Sequence, residues 1–318
     1  EPTPTGDHRT AAHVVWLTPA TSRLAVCVMA ADVPDYHRSR RERRNGGTAW
    51  PEPDRDHVLV VTRGHPFDRN AFFAAFEANA EIEWSHAEHP AAQLLFAPEA
   101  AERFDCFVLY DMPGINFRAG EAPTFFDPPE DYKRSLRALL DKGHPLVILH
   151  HGCAAWPTWP EWSEIVGSHF LYQPGESRGE PMPDSGYVLD VAHTVTPVAD
   201  HPITKGVEPF TLVDELYLAP VFEDSVTPLF VSDFEFVDSN FSSADLAVRG
   251  QLNARGDWAH PPGSNLVGWV KSAYNSPIVY LQFGDGPSTY NDPNYRQILA
   301  NAIRWACSEQ AAAWAQAN

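Results

Sequence analysis

Several well-separated segments place histidine, carboxylate, tyrosine or arginine just after a short apolar run. Arg63, Gly64, His65 and Pro66 follow HVLVVT (57–62), and His150, His151, Gly152 and Cys153 follow PLVIL (145–149). Asp214, Glu215 and Tyr217 lie near the end of FTLVDELY (210–217). Asp285 and Tyr290 follow PIVYLQF (277–283), and Asp111 closes DCFVLYD (105–111). An imidazole exchanges its proton near neutral pH, so His65 or His150 suits a general base. Glu215 would be its partner or a cation ligand, and Asp285 a further acid/base group. His65, His150 and Glu215 together are candidate ligands for a divalent metal ion such as zinc or manganese. No HExxH spacing supports a metal, and the four cysteines form no CxxC pair. His151 should alternate to the other side of its strand. Asp214 and Glu215, as strand neighbours, should point to opposite faces, so only one of them can serve a given site.

Each residue also has a plainer reading. His65 can be a turn histidine bonded to backbone, and His150 a satisfied core histidine. Cys153 could be activated if a helix starts there, but a buried structural thiol is the simpler assignment. Trp156, Trp159 and Trp162 recur at spacing three. They are either core or flat platforms for a sugar ring.

Strands must carry these residues to one rim. HVLVVT, DCFVLYDM and PLVIL are continuous apolar runs, which mark strands buried on both faces. IEWSH (82–86) is a further strand. Helices are expected over 71–79, roughly 90–103, and 131–143 with Gly143 closing the last. Strand and helix in alternation imply right-handed crossovers and a mainly parallel sheet in a three-layer, doubly wound α/β fold. HVLVV and PLVIL are expected as neighbouring inner strands. Strands follow at 186–193, 210–217 and 226–232, then a loop-like stretch over 233–263, a hairpin at 266–271 and 277–286, and a long helix over 293–316. In such folds ligands bind beyond the carboxyl ends of the strands, where these polar residues lie.

The chain has 318 residues, with 23 Lys and Arg against 42 Asp and Glu, a net charge of −19. That balance repels phosphate backbones and anionic lipid, so neither nucleic acid nor membrane is an expected partner. No apolar run is long enough to span a bilayer. Hydrophobic residues make up 44% and charged residues 20%, an ordinary globular composition. Scattered cysteines fit a reducing, cytoplasmic setting. Residues 1–56 read as an amino-terminal arm, with two apolar runs, HVVWLT and RLAVCVM, and the arginine-rich RSRRERRNGG (38–47). The apolar runs are expected to pack on the domain at 57–318 or on a second copy of the chain, so a homo-oligomer stays open.

Several stretches together resemble the ThuA-like family, named for trehalose utilisation, within the class I glutamine amidotransferase-like fold. They are VVTRGHPFDRNAFFAAFE (60–77), FDCFVLYD (104–111), GHPLVILHHGCAAWPTWPEWSEIVGSHF (143–170), ADHPITKGVEPFTLVDELY (199–217) and PIVYLQFGDGPSTYNDPNYRQILANAIRWA (277–306). The resemblance implies a carbohydrate substrate. It places His65 on a family histidine, Glu215 and Tyr217 on an acidic-acidic-x-tyrosine stretch, and His150 where amidotransferases carry their cysteine nucleophile. Glutamine hydrolysis is therefore not expected. Where the family commonly has glycine-histidine, this chain has Gly284 and Asp285. The expected function is an enzyme of sugar or keto-sugar catabolism that works by acid/base elimination, hydration or isomerisation, with metal assistance as an option. Arg63, Trp156, Trp159, Tyr217 and Tyr290 are the expected substrate contacts. The rival is a non-catalytic sugar-binding or accessory protein on the same scaffold.

Overall fold

The computed structural model describes residues 55–117 and 122–318. The apolar and arginine-rich runs of the amino-terminal arm, with Cys27, lie outside the described residues.

The buried runs build one half of a large sheet. β1 (Asp56–Arg63), β2 (Ile82–Glu88) and β3 (Cys106–Asp111) come first. β4 (Ile115–Asn116) pairs β5 (Thr124–Phe125) in a separate ribbon. β6 (Leu146–Leu149) returns to the sheet, and β7 (Gly175–Ser177) pairs β8 (Glu180–Met182) outside it. β9 (Gly186–Pro197), β10 (Phe210–Leu218), β11 (Thr227–Ser232), β12 (Ser242–Ser243), β13 (Leu266–Ala273) and β14 (Ser276–Leu281) follow. Strands β2-β1-β3-β6-β14 are mutually parallel, and β14-β13-β11-β9-β10 continue the sheet antiparallel. The β13–β14 hairpin joins the halves as its sequence indicates.

Alternation along the parallel strands sends side chains to two cores. Val58, Val60, Val108 and Val147 meet Phe72 and Phe76 of the helix Arg69–Glu77 and Ile298, Leu299 and Trp305 of the helix Pro293–Ala306. Leu59, Val61, Phe107, Leu109 and Ile148 meet Leu136 and Leu140 of the helix Glu130–Asp141 and Trp162 and Ile165 of the helix Pro160–Val166. Helices thus cover both faces, giving the three-layer α/β fold. Gly143 (φ +84) closes the 130–141 helix in the left-handed region, as expected.

The structure corrects three details. HVLVV and PLVIL are both interior, but β3 lies between them. An uninterrupted apolar run reports burial on both faces and says nothing about which strand sits beside it. The helix expected over 90–103 splits into a 3-10 turn, Ala91–Phe96, and one α-turn, Pro98–Ala101. Pro98 has no N–H to continue the ladder. The helix expected over 293–316 ends at Ala306, and a new one, Glu309–Ala317, starts where the Ser308 hydroxyl accepts from the Ala311 N–H.

The antiparallel half carries an acid-sensitive group. His193 on β9 is buried, and its Nδ1 lies 2.9 Å from Ser232 Oγ. Burial outweighs the nearby Asp233 and lowers its pKa to about 4. The unfolded chain takes up this proton near pH 6.5, so it binds more protons than the folded chain between those values. Stability present above about pH 6.5 is therefore lost as pH falls toward 4, by up to about 3 kcal/mol. Urea unfolding midpoints should drop on acidification, and His193→Gln should flatten that drop. Equal slopes for the two proteins would refute the assignment.

Candidate functional site

The β6 strand conformation ends at Leu149. His150 takes φ +45, a left-handed conformation uncommon for a residue with a side chain. The turn His150–Ala154 is 3-10 and buried throughout. It can lie this close to the sheet because residue 152 is glycine, where an added Cβ would sit 2.6 Å from Ile148 Cγ2. Tyr280 Oη donates to the His150 carbonyl (2.8 Å), and Trp162 Nε1 donates to the Gly152 carbonyl (3.0 Å). The strained residue is thus held from both sides.

The His150 ring is fully buried. Its Nδ1 donates to the Gln282 carbonyl at 2.5 Å, just beyond β14. That bond turns Nε2 toward Tyr217 Oη (2.8 Å), Glu215 Oε2 (3.0 Å) and Asp285 Oδ1 (3.5 Å). Tyr217 Oη also lies 2.8 Å from Glu215 Oε2, and its ring stacks on His150 with centroids 4.8 Å apart. Burial opposes charge on the His150 ring. Hydrogen bonding and attraction from Asp285 and Glu215 outweigh it and hold the pKa well above the usual value. Burial also opposes charge on Asp285, yet His150 pulls its pKa below the ordinary range. Burial and Glu215 push the Tyr217 phenol up, so it stays neutral. Asp285 is the exposed member of the group, with 29% of its side chain open.

Glu215 and Tyr217 arrive from β10, the far edge of the antiparallel half. Its residues alternate buried and exposed from Phe210 to Val213, then are buried continuously from Asp214 to Leu218. At the change, the pairing with β9 shifts register between Asp214 and Leu216, and Asp190 on β9 takes φ +52. An interrupted ladder frees neighbours from strict alternation. Asp214 and Glu215 therefore both serve one site, against the expectation that only one could. Asp214 accepts from the N–H groups of Gly284 (2.6 Å), Asp285 (2.9 Å) and Glu215 (3.0 Å). It ties the segment bearing Asp285 to the one bearing Glu215.

His65 sits half-buried at the rim, its ring 4.9 Å from that of His151. Among the described residues the donor atoms that group closely enough to hold a metal ion are those of His150, Glu215 and Asp285, and His65 is not one of them. His151 does not cross to the other face. The 3-10 turn lays it against Tyr110 (4.2 Å), His65 and His150, and burial drives its pKa well below the usual value. Cys153 is buried and its thiol is pushed up to about 12, which leaves it unreactive near neutral pH.

The expected substrate contacts divide. Tyr217 lies in the cluster. Tyr290 is buried, and its hydroxyl donates to the Asp285 carbonyl at 2.6 Å while meeting Tyr110 Oη at 2.6 Å. It fixes the Asp285 backbone and lines no open wall. Arg63 donates to the His89 carbonyl (2.9 Å). Trp156 and Trp159 are 2% and 6% exposed. Trp156 packs on Tyr132 and His89, and Trp159 on Trp162. A stacking platform needs an open ring face, which neither offers. Asp111 pairs with His89 at 2.9 Å, and His89 packs on Phe96, Tyr132 and Trp156. The sequence reading missed the supporting roles of Gln282, Tyr280 and Asp214. Only the acidic pair Asp214-Glu215 hinted at the last. Two concavities lie elsewhere, one lined by Arg55, Glu81 and Arg304 and one by Met182, Pro220 and His260.

Residues 57–306 match the family model ThuA, described as trehalose utilisation. No curated protein sequence matches. A ThuA-like protein from Parabacteroides merdae superposes with a TM-score of 0.56 at 14% identity, covering 80% of this chain and 91% of its own. One from Bacteroides uniformis gives 0.52 at 15%, covering 82% and 95%. A glutamine amidotransferase from Thermotoga maritima gives 0.40 at 11%, covering 80% and 99%. At such identities the likeness concerns the fold alone. Among the described residues no helix is long and apolar enough to cross a membrane.

Proposed function

The chain belongs to the ThuA family of trehalose utilisation, with the role in carbohydrate metabolism which that implies, and from this premise we propose that it is an enzyme acting on an oxidised, ketone-bearing sugar by proton transfer beside the carbonyl. The observation that carries the reading is His150 Nε2, which faces two carboxylates and a tyrosine at the carboxyl end of the parallel strands. A buried ring that keeps its positive charge is placed to meet the negative charge developing on a carbonyl oxygen. Either histidine could be the base on sequence grounds; His150 holds its proton, which leaves the role of base to His65. His65 takes the proton from the carbon next to the carbonyl. The C–H electron pair moves toward the oxygen, which accepts a hydrogen bond or the proton from His150 Nε2. Re-forming the carbonyl makes a double bond to the next carbon and breaks that carbon's C–O bond, the departing oxygen taking its proton from His65 to leave as an alcohol, which is elimination; addition of water in the reverse sense is hydration. Protonation of the former carbonyl carbon, with loss of the proton from a hydroxyl on the carbon beside it, is isomerisation. Glu215 and Tyr217 keep the ring oriented, and Asp285 stands at the entrance.

The test is incubation of the full chain with 3-keto-disaccharides, with products followed by NMR. Conversion that His65→Ala and His150→Ala both abolish supports the reading. Saturable binding without conversion would favour the accessory-protein alternative. Neither binding nor conversion would overturn the carbohydrate assignment of this site.

A further inference from the structure

We propose that His150, Glu215 and Asp285 form a binding site for one first-row divalent cation of the zinc or manganese type. The inference deepens the functional reading above, since it uses the same site. One nitrogen and two carboxylate oxygens lie within 4.8 Å of one another. Nε2 is 3.0 Å from Glu215 Oε2 and 3.5 Å from Asp285 Oδ1. Bonds of about 2.0–2.2 Å to a tetrahedral ion put its donors roughly 3.4 Å apart, so these atoms could embrace an ion with small movements.

Three independent features point the same way. The His150 Nδ1–H bond to the Gln282 carbonyl orients the ring with Nε2 toward the two carboxylates, so that an ion displacing the Nε2 proton would meet the arrangement metal-binding histidines share. Asp285 Oδ1 is a buried atom whose near polar neighbour, His150 Nε2, stands 3.5 Å away and short of good hydrogen-bond geometry, although the aspartate edge is partly open. It is an unused donor aimed inward with a path from solvent. Once the ion has displaced the Nε2 proton, two carboxylates and a neutral imidazole carry a charge of −2, which a divalent ion cancels. The donor set, one nitrogen and two oxygens, suits zinc or manganese better than the thiolate-seeking ions. Three protein ligands leave coordination positions for water or substrate, as catalytic sites do and closed structural sites do not. Bound there, the ion would take the place of the Nε2 proton and supply Lewis-acid polarisation of the carbonyl oxygen in its stead. Asp214 gains a defined part as a positioning residue, because its bonds to the Glu215 and Asp285 amides set the spacing of two ligands.

The full chain, stripped by dialysis against a chelator, is titrated calorimetrically with Zn²⁺ alone and with Mn²⁺ alone. Its Co²⁺-loaded form is read by visible absorption. One ion per chain is expected. Asp285→Asn and Glu215→Gln should abolish saturable binding, and Asp214→Asn should weaken it about 10- to 100-fold, as loss of an outer-shell partner does. Circular dichroism confirms that each variant folds; should Glu215→Gln fail to fold, the partly exposed Asp285→Asn decides. No saturable binding, or binding that Asp285→Asn leaves unchanged, would overturn the inference. A chain that binds no ion yet converts a keto-sugar loses the metal and keeps the function. One that binds the ion and acts on no carbohydrate does the reverse.

Discussion

His150→Ala should reduce turnover of a keto-sugar by about 10²- to 10⁴-fold, the usual contribution of one acid/base group. The variant removes the only ring that Glu215, Asp285 and Tyr217 all face. It should also cost stability. Truncating one partner of a buried charge pair strands the other, at about 3–5 kcal/mol, and Glu215 is 7% exposed. The pH dependence of that cost has a defined sign. The folded pKa of His150 lies above its unfolded value, so its contribution is fully present below about pH 6.5 and disappears as pH rises through the raised folded value. Asp285, with a lowered folded pKa, contributes above about pH 3.8 and loses its part as pH falls through the folded value. The stability gap between wild type and His150→Ala should thus narrow in alkali. Urea titrations of both proteins across pH would show this, with kcat measured in parallel. Wild-type turnover by the variant would remove His150 from the mechanism. A gap that widens with pH would mean that the ring is neutral in the folded chain.

Asp214→Ala should be nearly as damaging to activity, although Asp214 does not touch His150 through any hydrogen bond. Its carboxylate accepts three backbone N–H groups, from Glu215, Gly284 and Asp285, while 3% exposed. Removing it leaves buried donors unpaired, at roughly 1–3 kcal/mol for each donor that water cannot reach. It also releases the two carboxylate-bearing segments from each other. A displacement near 1 Å in such a site can cost about 100-fold in rate. The loss should fall on kcat more than on KM, because the variant deletes no group that meets substrate. Asp214→Asn keeps the shape but exchanges one acceptor oxygen for a donor, so it should lie between wild type and alanine in both readouts. An alanine variant with lowered stability and unaltered kcat would confine Asp214 to a structural role.

Much of this architecture follows from local patterns along the chain. The apolar runs at 57–62, 105–111 and 145–149 become interior strands because only burial on both faces tolerates three or more consecutive large apolar residues. Helix boundaries follow from local chemistry, as with Asp68 accepting from the Ala71 N–H and Asp292 from those of Asn294 and Tyr295. His150, Glu215 and Asp285 can be named in advance because each follows or ends an apolar run, where this class of fold opens to ligands.

The meeting of those residues was settled only by tertiary structure. β10 stands five pairings from β6 in the sheet, yet Glu215 and Tyr217 bond His150. No local periodicity encodes how far an antiparallel extension curls, or that a register shift beside Asp214 will bury two neighbouring acids together. The same limit applies to the tryptophans. Spacing three puts Trp156, Trp159 and Trp162 close together, but whether a ring is a core filler or a platform depends on what covers it, here Tyr132, His89 and one another. Composition reports which groups leave water; the packing of distant segments decides which polar groups they take with them, and therefore where the chemistry can sit.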